Sequence, residues 1–270
     1  MLKKIKETAA FLKQNDDTSA RVGIILGTGL GGLVKEIEIK KTVSYGDIPN
    51  FPVSTVEGHE GRLIFGTIHG TEIVAMQGRF HYYEGYNMKE VTFPVRVMKA
   101  LGIDHLIVSN ASGGLNPDFK VGDIMIITDH INMFGDNPLI GKNQNELGPR
   151  FPDMSEPYSK ALTEKALKIA ESNKITLKTG VYVGTAGPTF ETLAEYKFFR
   201  AIGGDSVGMS TVPEVIVARH AGMTCFGVSI ITDSGVPGQI VEISHEEVQK
   251  VAAAAEPKMT KVIAELVGTL

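Results

Sequence analysis

Short runs of aliphatic residues that suit strands alternate along this chain with longer stretches whose apolar positions recur every three or four residues, the spacing of a helix face. The opening MLKKIKETAAFLKQ has the helical spacing with lysines along its polar side, and predicts a surface helix. Arg21 to Leu26 is a β-branched strand that runs straight into Gly27-Thr28-Gly29-Leu30-Gly31-Gly32. Arg62 to Ile68 and Thr71 to Gln77 alternate about His69-Gly70, which predicts a β-hairpin. Val91 to Leu101 predicts a helix. Asp104 to Ser109 predicts a buried strand that ends in a glycine loop, Asn110-Ala111-Ser112-Gly113-Gly114, and Gly122 to Thr128 predicts another strand.

Residues 132 to 157 are rich in Asn, Gly and Pro with little periodicity; a loop of that length is a lid, a binding loop or a subunit contact, with Phe151 as its exposed aromatic. Ser159 to Ser172 reads as a helix. The strand-like Val181 to Val183 then meets the breakers Gly184, Gly187 and Pro188, and a helix opens at Glu191. Thr224 to Ile231 predicts a strand ending at Thr232-Asp233-Ser234-Gly235. A last helix runs from about Ser244, capped by Ser244 and Glu247, to Leu266. Alternation without a repeat period or a linker predicts one α/β domain over residues 1–270, with a central mixed sheet flanked by helices.

Composition changes this picture only by exclusion. The formal charge of −4 argues against a nucleic-acid partner, which needs a basic face to displace counterions. No apolar run approaches the roughly 20 residues that span a bilayer, and the amphipathic N-terminus lacks a signal-peptide core. The single cysteine, Cys225, cannot form an internal disulfide and fits a reducing compartment. We therefore expect a cytoplasmic protein with no membrane association.

The chemistry concentrates in residues 184 to 223. Phe190 and Glu191 sit at a strand-to-helix junction, where α/β sheets bind ligands, and a flat ring beside an acceptor carboxylate suits a heteroaromatic base with N–H groups. Ser210 and Thr211 precede Pro213 at a helix start, a place where hydroxyls and backbone N–H groups hold anions, although plain capping is the commoner use. Upstream, Gly78-Arg79-Phe80-His81-Tyr82-Tyr83-Glu84-Gly85 pairs a guanidinium fork with a switchable imidazole, a set that suits phosphate. The loop around Thr28 adds a compact anion nest; it lacks both the acidic residue of a dinucleotide fold and the GxxxxGK[ST] of a P-loop. No histidine spacing or cysteine pair predicts a metal site, and no GxSxG elbow predicts a nucleophile. Phosphate held beside a flat base suits phosphorolysis of a nucleoside, through an oxocarbenium-like transition state, without metal or cofactor.

The segments GTAGPTFET, VGMSTVPEVIVARHAGM, GRFHYYEGY and VTFPVRV resemble the trimeric, low-molecular-mass purine nucleoside phosphorylases over nearly the whole chain. The resemblance implies the nucleoside phosphorylase fold, a homotrimer, and phosphate as co-substrate to purine nucleosides such as inosine and guanosine. It implies phosphate contacts at Thr28, Arg79, His81, Ser210 and the Ala111 backbone, with His59 and Glu84 nearby. It further implies ribose contacts at Tyr83 and Met209, a 5′-hydroxyl contact at His245, base contacts at Phe190, Glu191 and Asp233, and Phe151 lent to a neighbouring subunit's ribose site. His81, Glu191 and Asp233 are the implied catalytic set. Three positions depart from the family pattern: Thr28 in place of Ser, Ser112 in place of Ala, and Asp233 in place of Asn. The last leaves open a methylthioadenosine or broader 6-aminopurine activity.

Overall fold

A computed structural model of the chain describes residues 1–16, 18–27, 31–53, 55 and 60–270. Among them, nine strands form one mixed sheet in the order β2-β3-β4-β1-β5-β8-β7-β6-β9. The strands are β1 (Val22–Leu26), β2 (Glu38–Ser44), β3 (Arg62–Ile68), β4 (Thr71–Gln77), β5 (His105–Gly114), β6 (Ile124–Met133), β7 (Leu177–Thr185), β8 (Ser206–Gly208) and β9 (Thr224–Ser234). Strand β9 pairs with β6 on one edge and with β5 on the other, so β5, β8, β7, β6 and β9 close into a ring. The remaining four strands extend from it as an open wing.

The helices are α1 (Leu2–Asn15), α2 (Met88–Val91), α3 (Phe93–Leu101), α4 (Lys160–Ser172), α5 (Leu193–Ala201), α6 (Val212–His220) and α7 (His245–Val267). They cover both faces. One apolar core gathers Ile5 and Leu12 of α1, Val95 and Met98 of α3 and Val215 of α6 against Val74 and Val108. The other gathers Leu162 and Ala166 of α4 and Met259 and Ile263 of α7 against Ile24 and Ile126. Burial on both sides is why β1 is aliphatic throughout and carries no alternation.

Local signals set the boundaries where they are strong. His69 (φ 48°) and Gly70 (φ 82°) make the two-residue turn between β3 and β4, with both residues at the positive φ that matches strand twist. Ser159 and Ser244 cap α4 and α7 as their spacing predicts. Three readings need correction. The glycine loop Asn110-Gly114 is the end of β5, because its backbone is paired to β9 and β8 along its length. Strand β6 runs on to Met133, so the long loop starts later than the periodicity suggests. Helix α5 opens at Leu193 with Thr192 as its cap and Glu195 completing the capping box, which leaves Glu191 outside the helix.

Candidate active site

The C-terminal ends of β4, β5, β7, β8 and β9 converge on a cavity of about 110 Å³, and its wall includes Arg79, His81, Tyr83, Ala111, Phe190, Glu191, Met209, Ser210, Asp233 and His245. Ten residues singled out by sequence, drawn from separate segments, thus meet in one place. Thr28 and His59 lie outside the described residues. Phe151 stands apart, on the rim of a different hollow with 86 % of its surface exposed and the Arg150 guanidinium 5.6 Å from its ring centre. A larger cavity, about 440 Å³, lies elsewhere in the chain and lacks the paired carboxylates of this one.

The floor is built on Arg79, which is buried. Its Nε and Nη2 donate to the two oxygens of buried Glu214, at 3.1 and 2.8 Å, while Nη1 donates to Ser109 O at 2.5 Å and to Ser210 Oγ at 3.3 Å. The fork expected to grip an anion from both sides therefore holds Glu214, and Nη1 is the nitrogen shared with Ser210. A Cβ on Gly27 would stand 2.8 Å from that Nη1 and 2.7 Å from Ser109 O, so the glycine is required by close approach. Glu214, from α6, was not among the sequence candidates: a helix glutamate betrays nothing of a partner 135 residues away.

Ser210 and Thr211 form a tight turn in which Val212 N donates to Ser210 O at 2.7 Å. Thr211 has φ 70° and ψ −54°, a strained γ-turn conformation for a β-branched residue. Burial and a 2.7 Å hydrogen bond from Asn110 Nδ2 to Thr211 Oγ1 hold it there. The capping role considered for this hydroxyl pair is absent, since neither side chain caps α6; the turn aims Ser210 Oγ at Arg79.

His81 is buried and lies flat on Tyr83, with ring centres 4.7 Å apart and an angle of 14° between planes. Burial lowers its pKa, opposed by Glu84. Burial would raise Glu84, but hydrogen bonds from His81 and from the Thr55 hydroxyl and amide outweigh it and hold the carboxylate at about 2. An ionised Glu84 only accepts, so the 3.3 Å contact with His81 Nδ1 makes that nitrogen the proton carrier and Nε2 the acceptor of the neutral ring.

At the other end, burial pushes Glu191 up to about 6, aided by the charge of Asp233, with Thr185 Oγ1 donating weakly at 3.4 Å. Burial also raises Asp233, against a 3.0 Å hydrogen bond from Thr232 Oγ1. Register explains the aim of Asp233: Ser112 pairs with Ile231 but Gly113 pairs with Asp233, so Thr232 is an extra residue that bulges β9. Gly113 makes room, since a Cβ there would stand 2.8 Å from Asp233 Oδ2. Tyr196 of α5 has its phenol raised by burial and by the Asp233 and Glu191 charges, which ties it to this end of the site. Phe190 is half exposed beside the pair, and His245 begins α7 at the mouth with its Nε2 3.0 Å from Gln249 Nε2. Ser112, the second departure from the family pattern, also lines the cavity, with its Oγ 2.6 Å from Ser229 Oγ.

The arrangement offers a guanidinium–hydroxyl floor that suits an anion and, between Phe190 and two carboxyls whose protons are held more tightly than usual, a slot that suits a flat polar ring. Among the described residues, no group of three His, Cys, Asp or Glu is placed to bind a metal, and no helix is long and apolar enough to cross a membrane.

Residues 21–268 match the model of the Phosphorylase superfamily. The chain is 53 % identical over 268 residues to purine nucleoside phosphorylase 1 of Bacillus subtilis, covering 99 % of each. It is also similar to solved structures of the Schistosoma mansoni purine nucleoside phosphorylase. The complex with inosine superposes with a TM-score of 0.94 at 41 % identity, over 99 % of this chain and 96 % of that one. The complex with adenosine superposes with a TM-score of 0.95 at 42 % identity, over 99 % and 97 %.

Proposed function

The chain belongs to the phosphorylase superfamily, among its purine nucleoside phosphorylases, and from that membership we infer how its own site works. It catalyses the reversible phosphorolysis of purine nucleosides, giving free base and (deoxy)ribose 1-phosphate. The observation that carries the reading is the meeting of a floor of buried Arg79 and half-buried Ser210 with the Phe190, Glu191, Asp233 group in a single cavity.

Phosphate, the co-substrate, rests against Arg79, Ser210 and the Ala111 backbone; the resemblance adds Thr28 and His59, which lie outside the described residues. Glu84 fixes the His81 proton on Nδ1, which gives Nε2 the acceptor role toward a phosphate hydroxyl. A phosphate oxygen then bonds to C1′ as the C1′–N9 bond breaks, and the bond pair passes into the purine. Charge grows on the base and on C1′ together; the base end is where donors and acceptors fixed in advance contribute most. Glu191, ionised, accepts from the purine N1–H. Asp233, whose proton burial helps retain, donates to N7 and so takes up the negative charge of the leaving group. Tyr83 and Met209 pack on the ribose and His245 meets its 5′-hydroxyl.

Inosine and guanosine are the main substrates in this reading. A 6-aminopurine activity is supported by one observation, the carboxyl of Asp233 where an amide is the family pattern: protonated it donates to N7, and in its ionised form it accepts from an exocyclic amine. A methylthioadenosine activity is disfavoured by His245, a polar side chain where a methylthio group calls for apolar surface. We further propose a cytoplasmic homotrimer in which Phe151 of each chain completes a neighbour's ribose site, a reading that the resemblance implies and that the 86 % exposure of this ring supports. A panel of inosine, guanosine, adenosine and methylthioadenosine tests the substrate range: hypoxanthine release from inosine is expected to be fastest, and methylthioadenosine as the best substrate would overturn the reading.

A further inference from the structure

The larger cavity, about 440 Å³, lies between α2, α3 and the loop that follows β6. At its wall is Arg96 of α3, 6 % exposed. Among the described residues, the hydrogen bonds of this guanidinium are made by Nη1, to Leu147 O at 3.1 Å and to His220 Nδ1 at 2.8 Å. A guanidinium must donate, so His220 Nδ1 is the acceptor and the imidazole is neutral toward it. Among the described residues no carboxylate pairs with Arg96, and burial lowers its pKa to about 10. A buried cation without a counter-ion is costly, unlike Arg79, which has Glu214.

The rim repeats the sign. Lys4, Lys89 and Lys142 border the cavity against one acid, Glu90, and a Glu90 oxygen is already held by Asn87 N at 2.9 Å. Phe93, Leu139 and Leu147 supply apolar wall. The volume exceeds what inorganic phosphate fills, and Arg is the side chain that best matches a phosphate's oxygens. We propose that this cavity is a second anion site, separate from the catalytic one, that takes an organic phosphomonoester: the phosphoryl group on Arg96 with lysines at the rim, the organic part on the apolar wall.

Equilibrium dialysis with inorganic phosphate, followed by displacement with phenyl phosphate, tests it. The wild-type chain should hold two phosphates per chain and Arg96→Met one, with phosphorolysis of inosine retained. Because Arg96 also anchors Leu147, the exposed pair Lys89→Glu and Lys142→Glu provides a second test without touching the core, and should weaken the second phosphate at least about tenfold by removing two favourable charges and adding two unfavourable ones. Phenyl phosphate should displace that phosphate at lower concentration than inorganic phosphate does. One phosphate per wild-type chain, or a second phosphate indifferent to the charge reversal, overturns the site; failure of phenyl phosphate to displace it overturns the organic ligand.

Discussion

Replacing Arg79 by Met should damage folding and phosphate binding together, and the structure separates the two. The substitution leaves Glu214, 3 % exposed, with no counter-charge, and deprives the carbonyl of Ser109 of its donor. Breaking a buried ion pair from one side costs about 3–5 kcal/mol. At about 2–4 °C per kcal/mol for a domain of this size, melting should fall by roughly 6–20 °C. Loss of a charge-assisted contact to the anion costs about 1.5–3 kcal/mol, or about ten- to a hundredfold in the phosphate KM. Adding Glu214→Gln removes the stranded charge. The double variant should therefore recover most of the melting temperature and none of the phosphate affinity, with the nucleoside KM little changed. Melting by calorimetry and initial rates at varied phosphate read the two effects independently. Recovery of phosphate KM along with stability would refute the reasoning, since Arg79 would then act only by holding α6 in place.

Three other outcomes follow from the same geometry. Glu191 accepts from the purine only when ionised, and its pKa is raised to about 6, so kcat/KM for inosine should fall as pH drops through about 6; Glu191→Gln should lower the rate and remove that limb, and an unchanged pH profile would contradict the role. Asp233→Asn should raise kcat/KM for inosine relative to adenosine by about ten- to a hundredfold, measured with both nucleosides at saturating phosphate, and an unchanged ratio would show that Asp233 does not read the six-position. Phe151→Ala should leave the melting temperature of the subunit nearly unmoved, because the ring is exposed, yet raise the nucleoside KM; a fully active wild-type monomer in sedimentation would remove the reason for that effect.

What the sequence made legible was local. The His69-Gly70 turn, the caps at Ser159 and Ser244 and the aliphatic run of β1 each follow from a few neighbouring residues, and the structure has them where the pattern puts them. What it hid was set by pairing at a distance. Asn110 to Gly114 reads as a loop because of its glycines, but those glycines are there for the Asp233 carboxyl and for the strands on either side. Closure of the ring through β9, the bulge at Thr232 and the strained turn at Thr211 likewise have no one-dimensional signature. The residues that meet in the cavity stand out in the sequence because polar and aromatic groups at strand ends are conspicuous. Glu214, Asn110 and Tyr196 were passed over because their partners are remote or because helical spacing accounts for them already. Asp233 is one of three departures from the pattern that the resemblance implies; its setting of burial, a threonine donor and a facing glutamate gives that departure a testable consequence.

The central claim is that phosphate, rather than water, attacks the anomeric carbon. Inosine turned over with ¹⁸O-labelled phosphate should give hypoxanthine and sugar phosphate in equal amounts, with label retained in the oxygen that joins phosphorus to C1′, and no cleavage when phosphate is omitted. Release of free ribose at the same rate in phosphate-free buffer would contradict it.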